Sequence, residues 1–386
     1  MHIETNLNPS TGSKGTRNPF RRIPLPCRIV GCLLLAIPCA VLSGILLVLG
    51  PLPPPAQPTL AAAVFSPGFH KGITYESWWN GEYASPNSDQ TLAEVIQPTG
   101  ADWIALIVKC HQETETSTTI TCDTGRMSAT DAELVHVIER AHSLGLKVML
   151  KPHLDLSIPD PASGRHHIGF SGDETAWRAW FKSYTDFITH YAALGQSTGA
   201  EYFVIGTELS ATTHRESDWR AVVDAVRAVY SGKLTYAALT YLEPLRMAWW
   251  DALDAIGIDA YFLLSVTTTP TLEQLKLGWT PALILMERLA EQWNKPVILT
   301  EVGYMSVDGT NRVPGYWALE GAIDGDEQAL AYQSVFEAFS GKPWWGGVYF
   351  WSYSTNPNQG GADDRGYSPH GKPAEDVLRR YFAGDK

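Results

Sequence analysis

Charge is scarce in this chain, and what there is leans acidic. Charged residues are 18% of the 386, against about 25% in an ordinary soluble protein. Long tracts of one sign, which stay unfolded by self-repulsion, are therefore excluded. Lys and Arg number 29 against 41 Asp and Glu, a net charge of −12. The first 28 residues hold Lys14, Arg17, Arg21, Arg22 and Arg28 against Glu4 alone, so the rest of the chain carries −16. A domain that acidic has no footprint for a phosphate backbone, and no nucleic-acid partner is expected.

Several chemical signatures are also missing. No Gly-rich phosphate loop follows any strand candidate, which weakens an open, doubly wound nucleotide-binding sheet. No Gly-x-Ser-x-Gly elbow offers a serine nucleophile. His153, His166 and His167 could ligate zinc, but no His-Glu-x-x-His or Cys-x-x-Cys spacing supports them. His166-His167 is most simply a solvated loop pair, and no metal or cofactor is expected. Of the five cysteines, Cys27, Cys32 and Cys39 lie in or beside an apolar run. Cys110 and Cys122 flank a short loop rich in Thr and Glu, and spacing alone leaves their pairing open.

Aromatic residues, by contrast, are plentiful: 14 Trp, 16 Tyr and 12 Phe. Such rings serve core packing and stacking on sugars equally well. Residues 29–50 form an uncharged apolar run of 22 residues, which as a helix would span about 33 Å, the thickness of a bilayer core. The basic residues all precede it, so residues 1–28 are expected in the cytoplasm, with a membrane anchor at 29–50 and the remainder outside. Cleavage after Ala61-Ala62-Ala63, releasing a secreted protein, is the alternative. The Pro-rich stretch 51–69 follows as an extended spacer.

From residue 70 to 386 short β-rich runs alternate with long amphipathic ones. Strands are expected at Gly72–Tyr75, Trp103–Val108, Lys147–Lys151, Tyr202–Ile205, Leu234–Ala237, Ile256–Ala260, Val297–Thr300 and Gly347–Phe350. Helices are expected at Thr130–Leu144, Asp173–Leu194, Trp219–Tyr230, Leu272–Trp293, Glu327–Phe339 and Pro373–Phe382. Thr130 with Glu133 reads as a capping box. Eight strands alternating with helices predict a single (β/α)8 TIM barrel.

In such a barrel the chemistry gathers where strands end. Glu208 ends the fourth strand and Glu301 the seventh, each after a run of apolar residues and a Thr. A lone carboxylate there could be a capping or salt-bridged residue. Two on one barrel suit glycosidic-bond cleavage, with one protonated as acid and one ionised as nucleophile or base. Period-2 alternation puts Lys151, His153 and Asp155 on one side of the third strand, and Asp259 and Tyr261 on one side of the sixth. Trp351 could floor a sugar subsite, and the first strand runs into Tyr75-Glu76-Ser77-Trp78-Trp79.

At these residues the chain resembles the retaining (β/α)8 glycoside hydrolases, and most closely glycoside hydrolase family 113, the endo-β-1,4-mannanases. The resemblance runs through Lys71-Gly72-Ile73-Thr74, Lys147 to Leu156, Ile205-Gly206-Thr207-Glu208-Leu209-Ser210, Ile256 to Phe262, Leu299 to Tyr304 and Gly371 to Glu375. It implies Glu208 as acid/base, Glu301 as nucleophile, sugar contacts near Trp78, Tyr261 and Trp351, no required metal, and a mannan-type β-glycan as substrate. One departure is Lys109-Cys110-His111, where relatives tend to carry Thr-Trp-Tyr. That exchange adds Lys109 to the expected substrate contacts, with His153, Asp155 and Asp259. It also raises the expectation of an anionic or heavily hydroxylated glycan. Exo action or transglycosylation on envelope glycans, and a sugar-binding barrel without catalysis, remain alternatives at this stage.

Overall fold

The eight runs expected to be strands are strands, and they close on themselves. β1 (His70–Glu76), β2 (Trp103–Gln112), β3 (Lys147–Leu156), β4 (Tyr202–Thr207), β5 (Lys233–Leu239), β6 (Ile256–Asp259), β7 (Val297–Val302) and β8 (Trp345–Ser354) pair in chain order. All neighbours are parallel, and β8 returns to β1. Closure excludes the open sheet. The computed structural model describes residues 63, 65–122, 127–158 and 164–383. The expected anchor at 29–50 and most of the spacer lie outside the described residues. Among the described residues no helix is long and apolar enough to cross a membrane.

The helices are α1 (Pro86–Gln90), α2 (Asp131–Ser143), α3 (Glu174–Thr198), α4 (Glu216–Val229), α5 (Glu243–Arg246), α6 (Leu272–Gly278), α7 (Thr280–Trp293), α8 (Gly325–Phe339) and α9 (Pro373–Ala383). The expected capping box is present at the start of α2: Glu133 N donates to Thr130 Oγ1 at 3.3 Å and Thr130 N to Glu133 Oε2 at 2.9 Å. The single helix expected over 272–293 is two, joined at Trp279. Pro281, in the first turn of α7, has no N–H to continue the earlier helix and clashes with the carbonyl four residues back.

Alternation along the strands sorts the side chains into two cores. Ile104, Leu106, Val108 and Cys110 of β2 pack outward beneath the helices, whereas Trp103 and Ala105 face the barrel interior with Met149, Tyr202, Val204, Ile298 and Tyr349. The floor of the barrel is sealed by His70, which stacks on Trp103 at 3.9 Å and pairs with Tyr349 at 2.9 Å. Burial, helped by Lys147, pulls His70 down to about 3, so the floor is uncharged there. Phe65 and Phe69 stack at 4.3 Å and pack against Trp345. The end of the Pro-rich stretch is therefore part of the packed domain. With the floor closed, chemistry is confined to the opposite mouth, where β2, β3 and β8 run longer than their apolar runs suggest. Polar residues end the hydrophobic signal there but not the pairing.

Candidate active site

Two local irregularities aim the glutamates. Between β4 and β5 the register moves from Val204↔Thr235 to Thr207↔Ala237, so β4 carries one extra residue just before Glu208. Between β6 and β7 it moves from Ile258↔Leu299 to Asp259↔Glu301, again with one extra residue on β7. Bulges of this kind re-aim side chains. In β7, Val297 and Leu299 face the helices and Ile298 the interior, so simple alternation would turn Glu301 outward. With the extra residue, Thr300 and Glu301 both turn inward: Thr300 Oγ1 donates to Asp259 Oδ1 at 2.7 Å, and Glu301 meets Lys151 and Tyr261.

Glu208 stands on a strained turn, with φ of +56°. The left-handed region costs a non-glycine residue about 1–2 kcal/mol. The turn is held from outside. Glu208 N donates to Ala237 O at 2.9 Å, and Leu209 N to the Tyr236 hydroxyl at 2.8 Å. That hydroxyl in turn donates to the buried Glu243 at 2.5 Å.

Glu301 is gripped from β3 and from the end of β6. Lys151, fully buried on β3, donates to its Oε1 and also to both oxygens of Asp259, at 3.1 and 3.3 Å. The Tyr261 hydroxyl donates to Oε2 at 2.8 Å. His153 presents Nε2 3.6 Å from Oε1. Burial alone would lower the Lys151 ammonium, but Asp259 and Glu301 outweigh it and hold it above its usual value. Asp259 is held well above the carboxylate range by burial and by the charge of Glu301.

The other wall is a chain of polar contacts ending at Glu208. Arg165 donates through Nη2 and, at 3.0 Å, through Nε to Asp155 Oδ1. It donates through Nη1 to His153 Nδ1 at 3.2 Å and lies 3.7 Å from Glu208 Oε2. Accepting at Nδ1 places the His153 proton on Nε2, toward Glu301. Burial, then Arg165, Lys151 and Lys109, hold that imidazole well below its usual value and therefore neutral. Burial raises the Glu208 carboxyl to about 7; Arg165 opposes the shift and Glu301 adds to it.

The aromatic expectations gather here too. Trp351 lies almost parallel to His153, centroids 6.4 Å apart, and Trp78 is 6.2 Å from Trp351. Lys109, the expected substrate contact on β2, is held from two sides. Its ammonium lies 4.4 Å over the Trp78 ring and 3.9 Å from Asp155, because β2 and β3 pair Lys109 with His153 and bring Asp155 diagonally opposite. Cys110 and Cys122 form a disulfide. Beside it His111 and Thr121 exchange backbone hydrogen bonds at 2.8 and 2.7 Å, so the loop between them is closed twice. His167 pairs with Glu115 at 3.1 Å on the surface, away from His153.

Thus Trp78, Lys109, His153, Asp155, Glu208, Asp259, Tyr261, Glu301 and Trp351 share one network at the barrel mouth. Sequence reasoning did not single out Arg165, which lies beyond the end of β3 and carries no strand-end signal. It placed Lys151 beside His153 and Asp155 without giving it a contact, and it named Glu76 only within the run that ends the first strand, although both share the parity of their strands' interior residues. Glu76 is buried with one carboxyl oxygen unpartnered. Burial raises it to about 7, against the Ser352 hydroxyl and with the help of Glu301.

The chain is similar to known proteins. The family model of Glycoside Hydrolase Family 113 matches residues 73–372. A solved GH113 β-1,4-mannanase complex is 31% identical with a TM-score of 0.74, covering 82% of this chain and 99% of that one. The GH113 β-mannanase of Alicyclobacillus acidocaldarius, in complex with ManMIm, is 29% identical with a TM-score of 0.73, covering 82% and 97%. A β-glucuronidase from Ruminococcus gnavus shares the fold alone, at 12% identity and a TM-score of 0.57, covering 81% of this chain and 50% of that one. Among curated proteins no similar sequence is found. A match over most of the barrel, strand ends included, makes the chain a member of glycoside hydrolase family 113 and a glycosidase.

Proposed function

We propose that the protein is a retaining endo-β-1,4-mannanase that uses Glu301 as nucleophile and Glu208 as acid/base. The observation that carries this reading is the contrast between the two carboxyls. Glu301 is held in place by the Lys151 ammonium on one oxygen and the Tyr261 hydroxyl on the other, which aim it for attack. Glu208 is held near 7, where a carboxyl can both give and take a proton at neutral pH.

In the first step an oxygen of Glu301 bonds to the anomeric carbon while the bond to the leaving sugar breaks. Glu208 gives its proton to the departing oxygen. In the second, water attacks the anomeric carbon, Glu208 takes a proton from that water, and the Glu301 ester bond breaks. Lys151 and Tyr261 hold Glu301 in line. Trp351 and Trp78 offer apolar faces to the sugar, while His153, Asp155 and Lys109 offer polar edges. Mannan is the substrate favoured by the two mannanase neighbours. The disulfide supports an oxidising location for the barrel, outside a membrane in which residues 29–50 serve as anchor.

The test is reducing-sugar release from a panel of β-mannans, β-glucans and acidic β-glycans, with proton NMR of the first-formed anomer. Preferred release from mannan, with the β-anomer formed first, is expected. The α-anomer first would contradict retention. No release from mannan beside release from another glycan would contradict the substrate. Recovery of the full-length chain in the soluble fraction of its host would contradict the anchor.

A further inference from the structure

One flank of the barrel mouth leaves aromatic side chains in water. Tyr241, Tyr316 and Trp317 are exposed to 36, 56 and 78%. They follow β5 and β7, on the arc of the barrel running from Glu208 to Glu301. Their backbone is pinned to the site. Gly315 approaches Tyr261 so closely that an added Cβ would lie 3.3 Å from that residue's Cβ. The Tyr367 hydroxyl donates to Pro314 O at 2.6 Å, and Leu264 N to Asn311 O at 3.0 Å. The Tyr241 ring packs edge-on against Phe262, 4.5 Å away and next in sequence to Tyr261.

We infer that Tyr316 and Trp317, flanked by Tyr241, form a stacking platform for sugar units of the glycan beyond those at the cleaved bond. This rests on the glycosidase reading above and deepens it, since such a platform favours long chains over short ones. The faces of a β-linked pyranose are rows of C–H groups carrying slight positive charge, and an aromatic face is negative and apolar, so the two attract when water leaves. A fixed backbone with bare rings fits this use: little is left to order on binding. Exposed aromatic surface gathered on one flank is a mark of a binding surface. The alkyl neighbours Leu242, Leu245, Leu263 and Val266 are exposed as well, so a lipid surface is the competing occupant. It does not account for the aromatics being those fastened to Tyr261, the residue that donates to Glu301.

The experiment uses the full chain carrying Glu301→Gln, which holds substrate without turnover, and calorimetric titration with β-1,4-mannobiose and mannohexaose. Adding Trp317→Ala is expected to weaken hexaose binding about tenfold, the loss of one stacking partner, and to narrow the hexaose-to-biose ratio. Trp317→Phe, which keeps a ring, should restore most of the affinity. Hexaose affinity unmoved by Trp317→Ala, in a protein whose wild type cleaves mannan, overturns the platform and leaves the mannanase reading standing. If that variant instead loses co-sedimentation with phosphatidylglycerol vesicles, the surface is a lipid contact and the platform is again overturned. A wild-type chain that neither cleaves nor binds any mannan overturns the mannan assignment, and the platform with it.

Discussion

Lys151 donates to Glu301 where water hardly reaches, with the ammonium fully buried and the glutamate 5% exposed. The same ammonium serves Asp259, so two buried carboxyls depend on one cation. Removing one partner of a buried ion pair is far costlier than the pair is worth, because the remaining charges lose their compensation.

Lys151→Met is therefore expected to destabilise the protein by roughly 3–5 kcal/mol. It should also reduce kcat by at least about a hundredfold, the order set by loss of electrostatic positioning at a reacting group. Chemical denaturation and kinetics on the same preparation check both. A variant with near wild-type kcat would show that the ammonium serves only the fold.

The two glutamates separate by substrate. Glu301→Ala should lose activity on every substrate, since no glycosyl ester can form. Glu208→Ala should lose about 10²–10⁴-fold on mannan but retain activity on an aryl mannoside whose leaving group needs no proton, with azide raising it. Equal loss in both, without rescue by azide, would contradict the roles.

Acidity follows the direction found for Glu208. Burial raises its carboxyl to about 7, so the protonated form that assists departure is depleted above that pH. kcat/KM on mannan should fall about tenfold per pH unit on the alkaline side. The limb should vanish for Glu208→Ala on the activated aryl mannoside. A profile flat to pH 9 in the wild type would contradict Glu208 as the acid.

The disulfide closes a short segment, with Cys110 and Cys122 separated by 12 positions. Closing so short a loop contributes roughly 3 kcal/mol in the chain-entropy model. Cys110→Ala with Cys122→Ala should lower the unfolding free energy by about that amount. In the wild type, thiol labelling of Cys110 and Cys122 after denaturation should require reductant. Labelling without it would show that the bridge is absent in solution.

Much of this was legible beforehand because it is local. Val, Ile and Leu runs named all eight strands, and the alternation of strand with helix named the barrel. Glu208 and Glu301 could be singled out as a pair because two carboxylates after apolar strand runs on one barrel are costly to desolvate without a reason. Arg165 could not be found this way. Its contacts depend on which strand ends lie beside it once the barrel has closed, and nothing in its sequence neighbours encodes that.

By itself the sequence determined the barrel, the order of its strands and the two glutamates, since periodicity and strand-end position are short-range properties of a chain. Only the tertiary structure decided what surrounds those glutamates. One extra residue in β4 and one in β7 turn both carboxyls to the mouth. Lys151, Asp259, Tyr261 and Arg165 then treat them differently, although they lie up to 150 positions apart in sequence. The charge state of a buried carboxyl is set by what lies within a few ångströms of it, and that neighbourhood exists only once the barrel has closed.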